Sequence, residues 1–303
     1  MPKFFKLIIN IVALAIFLLV SHQVWAQEWR PVRGGISFGI SGMTLIKQQS
    51  NSLDFLIVHD NKKPNQSRLA IISVKGKNQP EYFPLSWANQ TELPSDLEAI
   101  TNIPQDKNSD FIALSSTGKV YYFKLDIKTK NISIVKEFEL PEITSKTNLE
   151  AFGLQYIDGK LIAIWADRGE GKTAATIYFG EFNPKTYQIK LSGYSNFKVP
   201  FPSGNVRHIS DLKVDSLGIV YVTSASDPGD DGPFESAVYI AGYLKLCGNN
   251  IIWRSHPQLV PLYRSYYHKI EAIELIPGVE GGVIVGTDDE NLGSYIYIVG
   301  GNN

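Results

Sequence analysis

Along the chain the apolar residues come in short runs, many of them β-branched or aromatic, separated by Gly, Asp, Asn and Ser. That is the pattern of strands joined by tight turns, and no stretch beyond residue 26 keeps the 3.6-residue spacing of an amphipathic helix. One unit recurs: a short apolar strand, a turn, a β-branched strand, a polar loop and an aromatic strand. Its copies run Leu97–Ile100, Phe111–Leu114 and Val120–Leu125; Leu149–Phe152, Leu161–Trp165 and Thr176–Phe179; Ile209–Leu212, Ile219–Val222 and Ala237–Ile240; Ile270–Ile273, Gly282–Val285 and Tyr295–Val299. A weaker first copy runs Ile40–Met43, Phe55–Val58 and Leu69–Ile72.

From Ile40, Leu97, Leu149, Ile209 and Ile270 the steps are 57, 52, 60 and 61 residues, the length of a four-stranded propeller blade with generous loops. The first four copies each offer an outer strand, at Glu81–Trp87, Ile132–Phe138, Gln188–Val199 and Asn250–Trp253. The last copy has only three strands, so the pattern predicts that Glu28–Gly34 supplies the fourth and closes the ring. The expectation is an all-β, five-bladed β-propeller, with six blades as the alternative if Lys190–Arg207 conceals a degenerate one. No linker interrupts the array, and residues 27–303 read as a single domain.

The first 26 residues differ in kind. Lys3 and Lys6 precede an apolar run from Leu7 to Val20, and Val24-Trp25-Ala26 has the form of a signal-peptidase site. The run is shorter than a membrane span requires. A cleaved signal peptide and a monomeric periplasmic or extracellular protein, with no membrane span after cleavage, are expected. With 29 basic and 30 acidic residues the net charge is -1, which excludes a basic nucleic-acid binder. The single cysteine, Cys247, forbids an intrachain disulfide and reads as a small buried group in a strand.

In an up-and-down blade, the loop entering the inner strand and the loop joining strands two and three share a face. Here the second-to-third loops are mostly long and polar, so that face is the candidate site. Glu98, Glu150 and Glu271 stand at equivalent places at the start of inner strands, with Ser210 and adjacent Asp211 in a fourth blade and Ser41 in the weak one. Carboxylates converging on an axis must be protonated, hydrogen-bonded or neutralised by a cation. Calcium suits Glu98, Glu150, Asp211 and Glu271 as oxygen ligands, and the competing role is a hydrogen-bonded lock between blades. Farther out lie Asp60, Asp167, Asp227 and Asp288, each just after a second strand, where Asx turns are common. The loop Asp227–Gly232 has the composition of a calcium loop without the spacing of an EF-hand. Arg207, His208, His268 and Lys269 precede inner strands and, with Asp167 and Arg168, form a candidate ligand or anion site; either histidine could serve as a base. Tyr263, Tyr266 and Tyr267 offer an aromatic wall or inter-blade packing. No Gly-x-Ser-x-Gly elbow, His-Glu-x-x-His motif or phosphate loop occurs.

The phrases Leu97-Glu-Ala-Ile100 and Asn148-Leu-Glu-Ala-Phe152 resemble the inner-strand signature of exported bacterial propellers of the phytase-like, esterase-like class, over most of residues 39–299. That resemblance implies calcium-dependent phosphoester hydrolysis, with acids holding the metal, matched by Glu98, Glu150 and Glu271, and a dense clamp of Lys or Arg for phosphate, which is thin in this sequence. Gluconolactonase-type propellers, with one axial calcium, are a second analogue. Two functions follow as expectations: an exported propeller binding a small molecule, glycan or protein through its long-loop face, or a calcium-dependent phosphoester or ester hydrolase.

Overall fold

The computed structural model describes residues 28–88, 92–104, 109–278 and 281–299; the expected signal peptide, 1–26, lies outside them. The described residues from Trp29 onward form one compact unit. It opens with β1 (Arg30–Arg33). Blade 1 contains β2 (Gly42–Gln49), β3 (Ser52–Val58), β4 (Leu69–Lys75) and β5 (Glu81–Leu85), and blade 2 contains β6 (Leu97–Asn102), β7 (Asp110–Ser115), β8 (Lys119–Asp126) and β9 (Asn131–Glu139). Blade 3 contains β10 (Leu149–Ile157), β11 (Lys160–Asp167), β12 (Ala175–Asn183) and β13 (Gln188–Phe197). Blade 4 contains β14 (Val206–Val214), β15 (Ile219–Ser226), β16 (Ser236–Cys247), β17 (Asn250–Ser255) and β18 (Pro261–Ser265); blade 5 contains β19 (Ile270–Leu275), β20 (Val283–Thr287) and β21 (Ser294–Val299). Each sheet is an antiparallel meander, and β1 pairs with β21 as the outer strand of blade 5. The chain is therefore a five-bladed β-propeller closed by its N-terminal strand. Lys190–Arg207 holds the end of β13 and the start of β14 with no strand between them, so the six-blade alternative falls.

The apolar runs are continuous because each middle strand is buried on both faces. On β3, Phe55 and Ile57 pack toward blade 5, while Leu56 and Val58 pack toward blade 2. On β11, Ile162, Ile164 and Ala166 face blade 4, while Leu161, Ala163 and Trp165 face blade 2. Five core clusters result, one at each blade interface. The turns follow local chemistry. Asp158 and Gly159 connect β10 to β11 with φ of 47° and 82°, and positive φ at both positions is what a two-residue type I′ hairpin demands.

Closure rests on few residues. In β1 the register slips at Val32, which turns into the core shared by blades 5 and 1 and is 6% exposed. Val32→Ala should cost about 1.5–2.5 kcal/mol, read as a lower denaturant midpoint; an unchanged midpoint would mean that this strand does not bind the ring together. Two features depart from expectation. Cys247 is exposed at the β16–β17 hairpin, because that end of β16 overhangs the sheet. The sequence pattern also misses β18, which pairs with the first half of β16 while β17 pairs with the second half. Tyr263 on this strand stacks on Tyr297 at 4.8 Å and fills the seam between blades 4 and 5, whereas Tyr266 and Tyr267 are exposed.

Near the axis, side chains of the inner strands tie blades together. Gln155 Nε2 donates to Val214 O at 3.2 Å, Ser210 Oγ to Ile270 O at 2.7 Å, and Glu274 Oε2 accepts from Leu45 N at 3.1 Å. Lys213 goes further: from blade 4 its Nζ reaches Ile100 O in blade 2 at 2.9 Å, across the axial channel.

Candidate functional site

The three glutamates owe their placement to one repeated irregularity. Leu97 pairs with Ser115 and Ala99 with Leu114; Leu149 with Asp167 and Ala151 with Ala166; Ile270 with Thr287 and Ala272 with Gly286. In each case the glutamate between them is the extra residue of a β-bulge, a device that re-aims a side chain at the end of a strand. Glu98, Glu150 and Glu271 are all buried, and each bears electrostatically on others of the set. Ser41 holds the corresponding place in blade 1. It is 1% exposed, and its Oγ has no hydrogen-bond partner.

Asp211 does not join them. Its carboxylate is fully buried and accepts from Leu212 N at 2.7 Å and Ile273 N at 2.9 Å, with Lys213 Nζ 3.9 Å away. The bulge in β14 skips His208 to Ser210 and shifts the following residue toward blade 5. Backbone-bonded ties between blades, the competing role considered for the glutamates, are made instead by Asp211, Ser210, Gln155 and Glu274, while Glu271 ties blade 5 to blade 4 through Arg207.

The basic residues gather around the acids, but their donors are engaged. Arg207 Nη1 meets Glu271 Oε1 at 2.9 Å and Nη2 meets Asp227. Lys269 Nζ lies 3.2 Å from Glu271 Oε1 and 2.5 Å from Glu290 Oε1. Arg168 bridges Glu150 at 3.4 Å and Glu170 at 3.3 Å. Burial works against the charges of Lys269 and Arg207, but the surrounding carboxylates, Glu271 foremost, outweigh it and hold both above their ordinary pKa. His208 lies apart as a packing residue: Nε2 meets Gly171 O at 3.0 Å and Nδ1 accepts from Val199 N. His268 is held by buried Asp289 at 2.5 Å and lies against Trp29.

The four post-strand aspartates have different fates. Asp167 accepts from Asn148 N and Gly169 N, an Asx turn. Asp227 holds Arg207, and Asp231 of the same loop accepts from Asn291 Nδ2, so neither is a free calcium ligand. Asp60 and Asp288 belong with the axial acids and have no ion-pair partner among the described residues. Nor, among those residues, does any group of three or more His, Cys, Asp or Glu side chains stand close enough to hold a metal ion; Glu150 is paired with Arg168, and Glu271 with Arg207 and Lys269. A cavity of about 790 Å³ lies elsewhere, on the rim between the outer strands of blades 2 and 3, lined by Phe138, Glu181 and Tyr187 among others.

The mouth of the axis is consequently uneven. Glu150 and Glu271 have cations at hydrogen-bond distance. Among the described residues Glu98 and Asp60 have none, and the carboxylate of Asp288 accepts only Glu290 N at 3.1 Å. Burial first, then the neighbouring carboxylates Glu150 and Asp60, pushes Glu98 well above the usual range. Burial followed by Glu271 does the same to Asp288. Asp60 is raised to about 6, by burial and then Glu271, and Glu150 to about 7, by burial against the pull of Arg207. Asp211 is also raised to about 7, by burial against Lys213.

Carboxyls that titrate higher in the folded state than their unfolded values near 4 destabilise it as they ionise. Stability should therefore fall as pH rises from about 4 to about 7, by a few kcal/mol in all, since each tenfold gain in proton affinity on folding is worth about 1.4 kcal/mol. Thermal unfolding should show a melting temperature several degrees higher at pH 5 than at pH 8; a rise in that interval would contradict the arrangement.

No protein-family model matches the sequence, and no curated protein matches it. Solved structures do. An endo-1,4-β-xylanase from Bacteroides thetaiotaomicron aligns with a TM-score of 0.55 at 10% identity, covering 87% of this chain and 92% of that one. An α-L-arabinofuranosidase from Podospora anserina, in complex with cellotriose, aligns at 0.53 and 11% identity, covering 91% and 97%. An exo-1,5-α-L-arabinanase from a bovine ruminal metagenomic library aligns at 0.51 and 9%, covering 88% and 94%. These are glycosidase propellers rather than members of the phytase-like class named by the sequence resemblance. At such identities the likeness establishes the fold, a five-bladed β-propeller.

Proposed function

We propose that this exported propeller binds a glycan at its axial mouth and hydrolyses a glycosidic bond, with Glu98 as general acid and Glu150 as its carboxylate partner. The observation that carries the reading is the contrast between these two adjacent buried carboxyls. Burial raises the proton affinity of both, but Glu98 has no cation at hydrogen-bond distance among the described residues, whereas Glu150 has Arg168 at 3.4 Å. Glycoside hydrolysis requires one acid that protonates the leaving oxygen and a second carboxylate acting on the opposite side, and the difference in cation pairing suits Glu98 to the first role and Glu150 to the second. That the same fold carries glycosidases in the solved structures supports the choice of substrate class.

A phosphoester is a poorer fit. A phosphate clamp needs free Arg or Lys donors, and Arg207 and Lys269 are already shared among Glu271, Asp227 and Glu290. Binding without cleavage is the second reading, favoured by the small exposure of Glu98 and Glu150, 9% and 3%. Reducing-end release from arabinan and xylan, together with aryl-glycoside cleavage, separates the two. Turnover that disappears in Glu98→Gln supports hydrolysis; calorimetric glycan binding with no turnover on any substrate leaves only the lectin-like role.

A further inference from the structure

Between β18 and β19 the chain crosses the mouth face from rim to axis. Ser265 ends the outer strand opposite Ser236, where β16 begins, and Lys269 stands at the axis with its Nζ 3.2 Å from Glu271 Oε1. The strap between them is held by side chains on either side of it. Ser265 Oγ accepts from Tyr267 N at 3.4 Å and His268 N at 3.1 Å, while buried Asp289 holds His268 Nδ1 at 2.5 Å and Lys269 N at 2.7 Å. The backbone is fixed, yet the side chains of Tyr266 and Tyr267 are left in solvent, the residues being 51% and 73% exposed.

Tyr266 is braced from one side. Its ring meets Phe201 edge-on at 5.5 Å, the Arg264 guanidinium lies 5.0 Å over that phenyl ring, and Phe201 O accepts from Tyr239 Oη at 2.7 Å. Tyr267 has no ring contact and no side-chain hydrogen bond among the described residues. A tyrosine on a fixed backbone has only two torsions to surrender when a ligand covers it, and it offers an apolar face beside a free hydroxyl.

Position and size select the occupant. Tyr267 is two residues from Lys269, so their Cα atoms are at most about 7 Å apart. The strap therefore borders the axial mouth directly. The two tyrosines expose on the order of 250 Å² together, taking about 200 Å² for each, whereas a protein partner needs about 800 Å² on its side. The other exposed apolar residues of this segment, Leu262 and Val260, lie four and six positions back along the outer strand, roughly 13 and 20 Å from Tyr266. A sugar ring fits the smaller area: one face is lined by C–H bonds, which the negative face of an aromatic ring attracts, and its rim of hydroxyls suits the phenol.

We propose that Tyr267, with Tyr266 beside it, is an aromatic subsite that stacks one sugar of a glycan chain running outward from the axial mouth over the seam between blades 4 and 5. The proposal rests on the reading of the axial mouth as a glycan site and specifies the ligand, an oligosaccharide long enough to reach from the acids to the strap. The subsite binds and takes no part in bond cleavage.

Xylohexaose, α-1,5-arabinohexaose and cellohexaose provide the test, with affinity measured by calorimetry on the full chain, or as KM where a hexaose is cleaved. Tyr267→Ala should weaken the hexaose that the wild type takes by about three- to tenfold, the scale of one aromatic contact. Tyr267→Trp, which keeps a ring, should retain the affinity, and its added indole should change fluorescence when the hexaose binds. Tyr194→Ala removes a tyrosine that is 67% exposed on the outer strand of blade 3 and should change nothing. A hexaose affinity untouched by Tyr267→Ala, or lowered equally by Tyr194→Ala, would overturn the proposal and leave the glycan reading standing. A wild type that binds none of the three defeats both, whereas Tyr267-dependent binding without turnover defeats hydrolysis alone.

Discussion

Glu98→Gln is expected to lower kcat on a natural glycan by about 10²–10⁴-fold, the range associated with a positioned acid, with KM little changed. Glutamine reproduces the size and neutrality of protonated Glu98 but has no proton to deliver. The fold should survive, since no hydrogen bond or ion pair engages the Glu98 side chain among the described residues. Leaving-group chemistry provides an internal control: aryl glycosides with strongly acidic phenols need little protonation and should lose far less activity than those with weakly acidic ones. Glu150→Gln should impair both kinds. If Glu98→Gln affected every substrate equally, or none, the acid would have to be sought elsewhere.

Asp211→Ala should have the opposite profile, a loss of about 3–5 kcal/mol in stability from a residue outside the reacting pair. The substitution strips two buried N–H groups, Leu212 and Ile273, of their acceptor and leaves Lys213 without its neighbouring carboxylate. Asp211→Asn, which retains one acceptor oxygen, should fall between. Urea unfolding checks both, and an alanine variant as stable as the wild type would mean that blades 4 and 5 are held by apolar packing alone.

These two residues also show where sequence reasoning succeeds and where it stops. Blade number is readable because each interface has its own core and each middle strand contributes to two of them, so the apolar runs are unbroken and countable. The acid ring is readable because the bulge falls at the same step of the repeat in blades 2, 3 and 5. Adjacency groups Asp211 with that ring, yet a wider bulge in β14 turns the chain by enough to send its carboxylate into the next blade. Pairings over long separations leave no trace: Arg207 and Glu271 are 64 residues apart. The aspartates after second strands look alike in sequence, and only the neighbouring backbone decides that Asp167 closes a turn while Asp288 rests on Gly39. The strand β18 is hidden because Pro261 begins it and because an edge strand has no need of a continuous apolar run.

Lys213, stretched across the axis from blade 4 to a carbonyl of blade 2, has a kinetic consequence. On the proposed reading of the long-loop mouth as the glycan site, this crossbar should make a ligand leave by the side it entered. On the hydrolase reading proposed above, a polymer is then cut at the mouth without being threaded through the ring, and the fragment departs by that same side. Turnover should then be distributive, with full release between cuts, and the shortest products should compete with fresh substrate for the same opening.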